Sequence, residues 1–437
     1  MITYKIGDLF DLEAGYAFKS KDFTDTGIPV LKIKNVKANS IPLHNLSYVE
    51  KNFLKTKKDK LARKGDILIT MSGNRYDGTK DTWVGKVAEF KHEGLYFINQ
   101  RVGALRLKPT AEIDISCCSY FLSSEGFQNR FIVIATSSGG QANLSPDQIL
   151  NEKIALPSIR NQKAIGYILS VLDDKIKNNC IINKILEEMA QTIFRSWFVD
   201  FDPVRDNTLG KSPAFMDTQT AALFPNSFDD DGLPTGWNIK KLSDIADLNP
   251  SEKIKKEKLS TYVEMANLPT TGSSITNVEL RKFKSGTKFR NGDTLLARIT
   301  PCLENGKTAF VDILNEGEIA FGSTEYIVIR TKEPLPKFYS YILARNEHFR
   351  EHAIRSMTGT SGRQRAQADM VGSYEVVMPS KEVALAFSEK CQNWFAKIRC
   401  NNSENKTLSE LRDTLLPKIM SGVIHVKDVE REVEAAV

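Results

Sequence analysis

The chain repeats itself, and no other feature limits its fold so strongly. Slid along its own sequence it matches at an offset of about 222 residues. LARKGDILITMSGN (61 to 74) lies against KFRNGDTLLARITP (288 to 301), and VGKVAEF (84 to 90) against NGKTAFV (305 to 311). YFLSSEGFQNRF (120 to 131) aligns with YILARNEHFREH (341 to 352), and TSSGGQANLSPDQILNEKIALP (136 to 157) with TGTSGRQRAQADMVGSYEVVMP (358 to 379). A period this long is a duplicated domain plus connector, not a solenoid unit.

Each half opens with β-branched and aromatic runs such as GIPVLKI, GDILIT, TLLARI and EYIVIRT, separated by Gly, Pro and Asn turn signals. Short helical patterns follow at 114–131 and 336–355, and each half closes on a much longer one. The long patterns place Ile165, Leu169, Leu172, Ile176, Leu186, Met189, Ile193 and Trp197 on one seam. The second seam holds Phe387, Cys391, Trp394, Ile398, Leu408, Leu411, Leu415 and Ile419. Forty residues at 1.5 Å rise make a rod of roughly 60 Å. The predicted fold class is α+β: two similar globular domains separated by two long antiparallel, coiled-coil-like helices in a pseudo-symmetric duplication. The boundaries are a first globule at 1–158, a long helix at 159–201, an irregular connector at 202–235, a second globule at 236–380, a second long helix at 381–421 and a tail at 422–437. Each seam turns polar near its midpoint, at Asn179 and Asn183 and at Asn401 and Asn405. In an antiparallel pair the midpoints meet, so these asparagines are expected to face each other and pin the register, a local solvated break being the plainer alternative.

Charge follows the repeat. The formal net charge is +6; residues 1–158 carry +5 and 236–380 carry +4, while 159–235 carry −3 and 381–437 are neutral. Two basic globules on a neutral or acidic frame suit a chain whose globules touch a polyanion and whose rods touch protein. Lys51, Lys55, Lys57, Lys58, Lys60, Arg63 and Lys64 form a basic run in the first globule, with Arg281, Lys282, Lys284, Lys288 and Arg290 in the second; both can equally be solvated faces. The Gly-rich loops SGNRYDGTK (72 to 80) and SGRQR (361 to 365) discriminate better, because Arg and Gln can reach guanine and adenine edges in the major groove.

Catalytic motifs fail on inspection. Gly306, Lys307 and Thr308 resemble the end of a phosphate-binding loop, but Pro301 stands where its first Gly belongs. Asp202 and Pro203 resemble the acidic-Pro-Pro-aromatic motif of amino-methyltransferases, yet Val204 and Arg205 follow. HFREH (348 to 352) fits a zinc-binding pattern whose counterpart in the first repeat, Phe127 and Phe131, has no imidazole. No CxxC pair occurs among six cysteines, and no apolar run is long enough to span a membrane, so the chain reads as cytoplasmic and without a disulfide framework.

YKIGDLFDLEAGYAFKSKDF (4 to 23), the GDILITMSG turn, SWFVDFDPVR (196 to 205), MDTQTAALFP (216 to 225) and LPTGWNIKKLSDIA (233 to 246) resemble the specificity subunit of type I restriction-modification enzymes. The resemblance covers essentially the whole chain. It implies a non-catalytic subunit in host defence that reads a bipartite site in double-stranded DNA, docks two methylation subunits and associates with ATP-dependent restriction subunits. S-adenosylmethionine, ATP and Mg would then belong to the partners and no cofactor to this chain. A stand-alone DNA-binding or antirestriction protein is the alternative. Arg75, Tyr76, Arg298, Arg363, Gln364 and Arg365 are the expected DNA-binding residues.

Overall fold

The computed structural model describes residues 1–77, 80–138, 140–276, 278–360 and 362–421, so the expected tail at 422–437 lies outside the described residues. Its contacts form two compact units, Met1–Ile176 with Lys406–Val437, and Lys177–Asn405. Two helices of 40 residues, Ile159–Phe198 and Lys381–Met420, are each divided between the units. The sequence boundaries set these helices apart as segments of their own; instead, each half-helix buries its apolar face in the core of a β-rich region.

In the first unit an antiparallel sheet runs Phe10–Ala14, Val102–Leu107, Ile67–Thr70, Val87–Glu89. Ile165, Leu169 and Leu172 of the first long helix join Ile67, Ile69, Phe121, Phe131 and, from the second helix, Leu408, Leu415 and Ile419 in one core. The second unit repeats the sheet with Ala246–Leu248, Tyr326–Thr331, Thr294–Ala297 and Thr308–Phe310. Its helical core is more aromatic: Phe194, Trp197 and Phe198 pack with Phe387, Phe395 and Ile398. Met189, placed on the seam by spacing, is 42% exposed, and the neighbouring Ala190 is buried in its stead.

The matched Gly-Asp turns explain why GD survives in both halves. Gly65 and Gly292 adopt φ of 90° and 92°, where a side chain would be strained. Asp66 then accepts from the Arg63 amide at 2.9 Å and Arg106 Nε at 3.3 Å; Asp293 accepts from the Arg290 amide at 2.8 Å and from Arg330 Nε and Nη2 at 2.7 and 2.8 Å. A buried carboxylate persists only when paired in this manner.

Two carboxylates of the first long helix, Asp173 half-buried and Glu187 buried, fasten the β-rich regions to it. Asp173 accepts from Tyr120 Oη at 2.6 Å and from Arg412 Nη1 at 2.6 Å. Glu187, in the other unit, accepts from Tyr341 Oη at 2.7 Å and from the amide and hydroxyl of Ser273 at 2.8 and 2.6 Å. The tyrosines occupy equivalent places in the two repeats.

The connector is more ordered than its composition implies. Phe201, at φ 56°, turns the chain out of the long helix, and Asp202–Pro203 open the helix Asp202–Thr208; a second short helix spans Thr218–Ala221. Asn207 Nδ2 lies 3.1 to 3.4 Å from the carbonyls of Ala221, Phe224 and Pro225, while Val204 and Phe224 are buried against Trp197 and Trp237. Pro, Gly and Asp mark turns, but these few apolar anchors order the segment.

Within the second unit the two helices run antiparallel through a cluster of amides. Asn179 Nδ2 donates to Asn405 Oδ1 at 2.9 Å and to Glu404 Oε2 at 2.7 Å; Asn183 Nδ2 donates to Asn402 Oδ1 at 2.8 Å, and Asn183 Oδ1 accepts from Asn401 Nδ2 at 2.7 Å. Asn402 and Glu404 belong to this cluster although seam spacing alone does not select them.

Replacing Asn179 and Asn401 together by Leu tests whether the cluster sets register. A register role predicts an altered oligomeric state or changed cysteine cross-linking between engineered helix pairs, whereas a merely polar break predicts that neither changes. A second expectation concerns Asp312, whose carboxyl burial pushes up to about 6, against the pull of Arg399. The folded state favours its neutral form, so stability present below the ordinary carboxyl value near pH 4 falls as pH rises through about 6. Asp312→Asn should therefore gain on wild type between pH 4 and 7, on the order of 1 kcal/mol, in urea denaturation followed at each pH.

Candidate nucleic-acid interface

In each unit the strand carrying the Gly-Asp turn runs out of the sheet into a polar corner. In the first, the Met71 amide donates to the Arg101 carbonyl at 2.9 Å and the Met71 carbonyl accepts from the Leu144 amide at 2.9 Å. Ser72 and Gly73 pair with Asn143 and Ala142, on the returning arm of the hairpin formed by Thr136–Ser138 and Gln141–Asn143. In the second, the Arg298 amide donates to the Glu325 carbonyl at 3.0 Å, the Ala366 amide donates to the Arg298 carbonyl at 2.8 Å, and Ile299 pairs with Arg365. The main-chain bonding thus equates Met71 with Arg298, Arg101 with Glu325 and Asn143 with Arg365.

This frame places all six residues expected from sequence at or beside a corner. Arg75 is exposed, with Nη2 held 2.5 Å from the Ala135 carbonyl at the base of the hairpin. Tyr76 is 55% exposed and meets the Trp83 ring edge-on at a centroid distance of 5.3 Å. Gly78 and Thr79 of that loop, and Ser361 of the other, lie outside the described residues. Arg298 donates from Nη2 to Gln367 Oε1 at 3.0 Å, and its Nε is buried with no hydrogen-bond partner among the described residues. Arg363 is exposed, and its guanidinium has no partner among the described residues. Gln364 holds the corner through its carbonyl, which accepts from the Thr300 amide at 3.0 Å. Arg365 forks onto Glu325, with Nε at 3.0 and 2.9 Å from the two carboxylate oxygens and Nη2 at 2.7 Å. That guanidinium holds the Glu325 carboxyl below the usual carboxylate range.

Sequence spacing does not single out Arg101, Asn143 or Glu325. Arg101 Nη1 donates to Ser72 Oγ at 3.2 Å and to Asn143 Oδ1 at 3.1 Å, and Ser72 Oγ itself donates to Asn143 Oδ1 at 2.6 Å. Only strand register reveals these partners, because residues 101 and 325 sit just before the sheet's central strands and carry no motif. The basic runs, by contrast, are partly engaged. Lys60 pairs with Glu13, Lys64 with Glu93 at 2.6 Å, and Arg281 with Glu264 and Glu279 at 2.7 and 2.8 Å. Lys57 stands over the Tyr16 ring. His352 of HFREH places Nε2 2.8 Å from the Met370 carbonyl.

Residues 1–187 match the family model described as type I restriction modification DNA specificity domain. The chain is 26% identical over 381 residues to the HindI specificity subunit of Haemophilus influenzae, covering 73% of this chain and 79% of that protein. It is 24% identical over 307 residues to the MjaIX specificity subunit of Methanocaldococcus jannaschii, covering 67% and 66%. Among solved structures, the type I restriction-modification S subunit from M. genitalium shares the fold at a TM-score of 0.54 and 16% identity, over 95% of each chain.

Two arginines separate stability from contact. Arg363→Ala should leave the melting free energy within about 0.5 kcal/mol of wild type. Arg365→Ala strands Glu325 without its partner and should lower the midpoint of thermal denaturation below that of wild type.

Proposed function

We infer that this chain, which belongs to the type I restriction-modification specificity subunits through the domain at residues 1–187, reads a bipartite site in double-stranded DNA, one half per β-rich unit. The observation that carries this reading is the doubled corner: the same main-chain frame, on two basic repeats, presents different polar side chains in each. Two frames of one design with different side chains suit the reading of two different short sequences. Positive charge on both globules supplies the sequence-independent attraction to phosphates, and the corner side chains read base edges. Arg75, Tyr76, Arg298, Arg363, Gln364 and Arg365 face DNA on this reading, Arg363 with the greatest freedom to reach it.

The long helices form the frame. Their exposed faces, together with the Asp202–Thr208 corner, would receive two methylation subunits, and restriction subunits would join that assembly. S-adenosylmethionine, ATP and Mg would enter with those partners, leaving this chain to bind, orient and discriminate without catalysing. No helix among the described residues is long and apolar enough to cross a membrane. The reading places the assembly in the cytoplasm, with the chromosome.

Co-purification with a methylation subunit, followed by single-molecule sequencing of methylated genomic DNA, tests the reading. The expected result is a stable complex and a methylated motif of two short blocks separated by an unread gap. Sequence-specific DNA binding with no methylation subunit recovered would instead make the chain a stand-alone binder.

A further inference from the structure

We propose that Arg101 and Arg365 are the paired guanine readers of the two half-sites, occupying exchanged places in the repeated corner, and that Asn143 with Ser72 in one unit and Glu325 in the other are their positioning residues. The proposal rests on the DNA-recognition reading above. It adds an arginine that no sequence signal marked and gives the Arg365 ion pair a role.

The main-chain bonds equate position 101 with 325 and 143 with 365. One corner therefore places its arginine on the loop before the central strand and an amide on the hairpin. The other places its arginine on the hairpin and a carboxylate on the loop. Either order brings a guanidinium against a fixed acceptor at the same junction. In the first, Nη1 of Arg101 is held by Ser72 Oγ and Asn143 Oδ1, and Nε and Nη2 have no partner among the described residues. In the second, Nε and Nη2 of Arg365 are held by Glu325, and Nη1 with the remaining Nη2 hydrogen forms a free edge. A guanidinium braced on one edge by a fixed acceptor keeps two parallel donors on another, which is the geometry that O6 and N7 of guanine accept. The bracing also lowers the entropy lost when a base is contacted, because the side chain is already ordered. Arg101 is exposed and the Arg365 side chain is 41% exposed, so both free edges are reachable.

The acceptors differ in charge, and that difference gives a readout no purely structural role would produce. Glu325 neutralises Arg365, whereas Asn143 and Ser72 leave the charge of Arg101 in place. Glu325→Gln should therefore strengthen binding to a random-sequence duplex at low salt while weakening preference for one base pair. A residue needed only for folding would weaken both.

The experiment compares methylated motifs in cells carrying wild type, Arg101→Ala, Arg365→Ala or Glu325→Gln with the complete partner set. Arg365→Ala and Glu325→Gln should each spread methylation to other bases at one and the same G·C position of one half-site. Selectivity there should fall on the order of ten- to a hundredfold, with the other half-site unchanged. Arg101→Ala should do the same in the opposite half-site, and each untouched half-site reports that the variant is folded. Unchanged motifs, or losses spread evenly over both half-sites, overturn the assignment while leaving the recognition reading intact. A wild-type genome without a two-part methylated motif overturns the recognition reading and this assignment with it.

Discussion

The fold depends on two carboxylates of one helix, one half-buried and one buried, set where tyrosine hydroxyls can reach them. Asp173 serves the first unit and Glu187, fourteen residues further along the first long helix, serves the second. Withdrawing either from water costs free energy, and each is satisfied by a tyrosine at the same place in its repeat. Arg412 of the second long helix completes the first of these clusters, and Ser273 the second. The β-rich regions are thereby attached to the helices by directional polar bonds set within apolar cores, which fix orientation as nonspecific packing cannot.

The duplication is close in backbone and loose in side chains. Sheet order, Gly-Asp turns and the paired tyrosines recur, as do the main-chain bonds at the polar corners. The partners of those tyrosines do not follow the repeat, since both carboxylates come from the first helix and none from the equivalent place on the second, where Phe395 stands at the position matching Asp173. The corners diverge further, with an amide and hydroxyl in one and a carboxylate in the other. Divergence lies in the side chains, buried and exposed alike, and the repeat is retained where main chain meets main chain.

Much of this was legible in sequence because it depends on periodicity. The seam residues Leu169, Leu172, Ile398 and Leu408 are buried as their spacing requires, and the helices end within a few residues of the expected places. Met189 fails because spacing cannot tell which of two adjacent residues a helix face turns inward, and the smaller Ala190 fits the aromatic end of the core. The connector's order was hidden because it rests on four apolar anchors and one Asn side chain rather than on any repeat. At the corners the Arg and Gln of Gly-rich loops were visible as types. Their partners Arg101, Asn143 and Glu325 lie 29 to 71 residues from the side chains they hold and meet them only through strand register.

The main-chain frame of the corners has a consequence for change. Because peptide groups at positions 71, 101 and 144, and at 298, 325 and 366, make the closing bonds, side chains there can be exchanged without opening the fold. Two such exchanges already separate one corner from the other: an arginine has moved across the junction and its acceptor has crossed in the opposite direction. A chain built this way can acquire a new preference in one half while the other half keeps its own, so its possible targets multiply as the product of two independent alphabets.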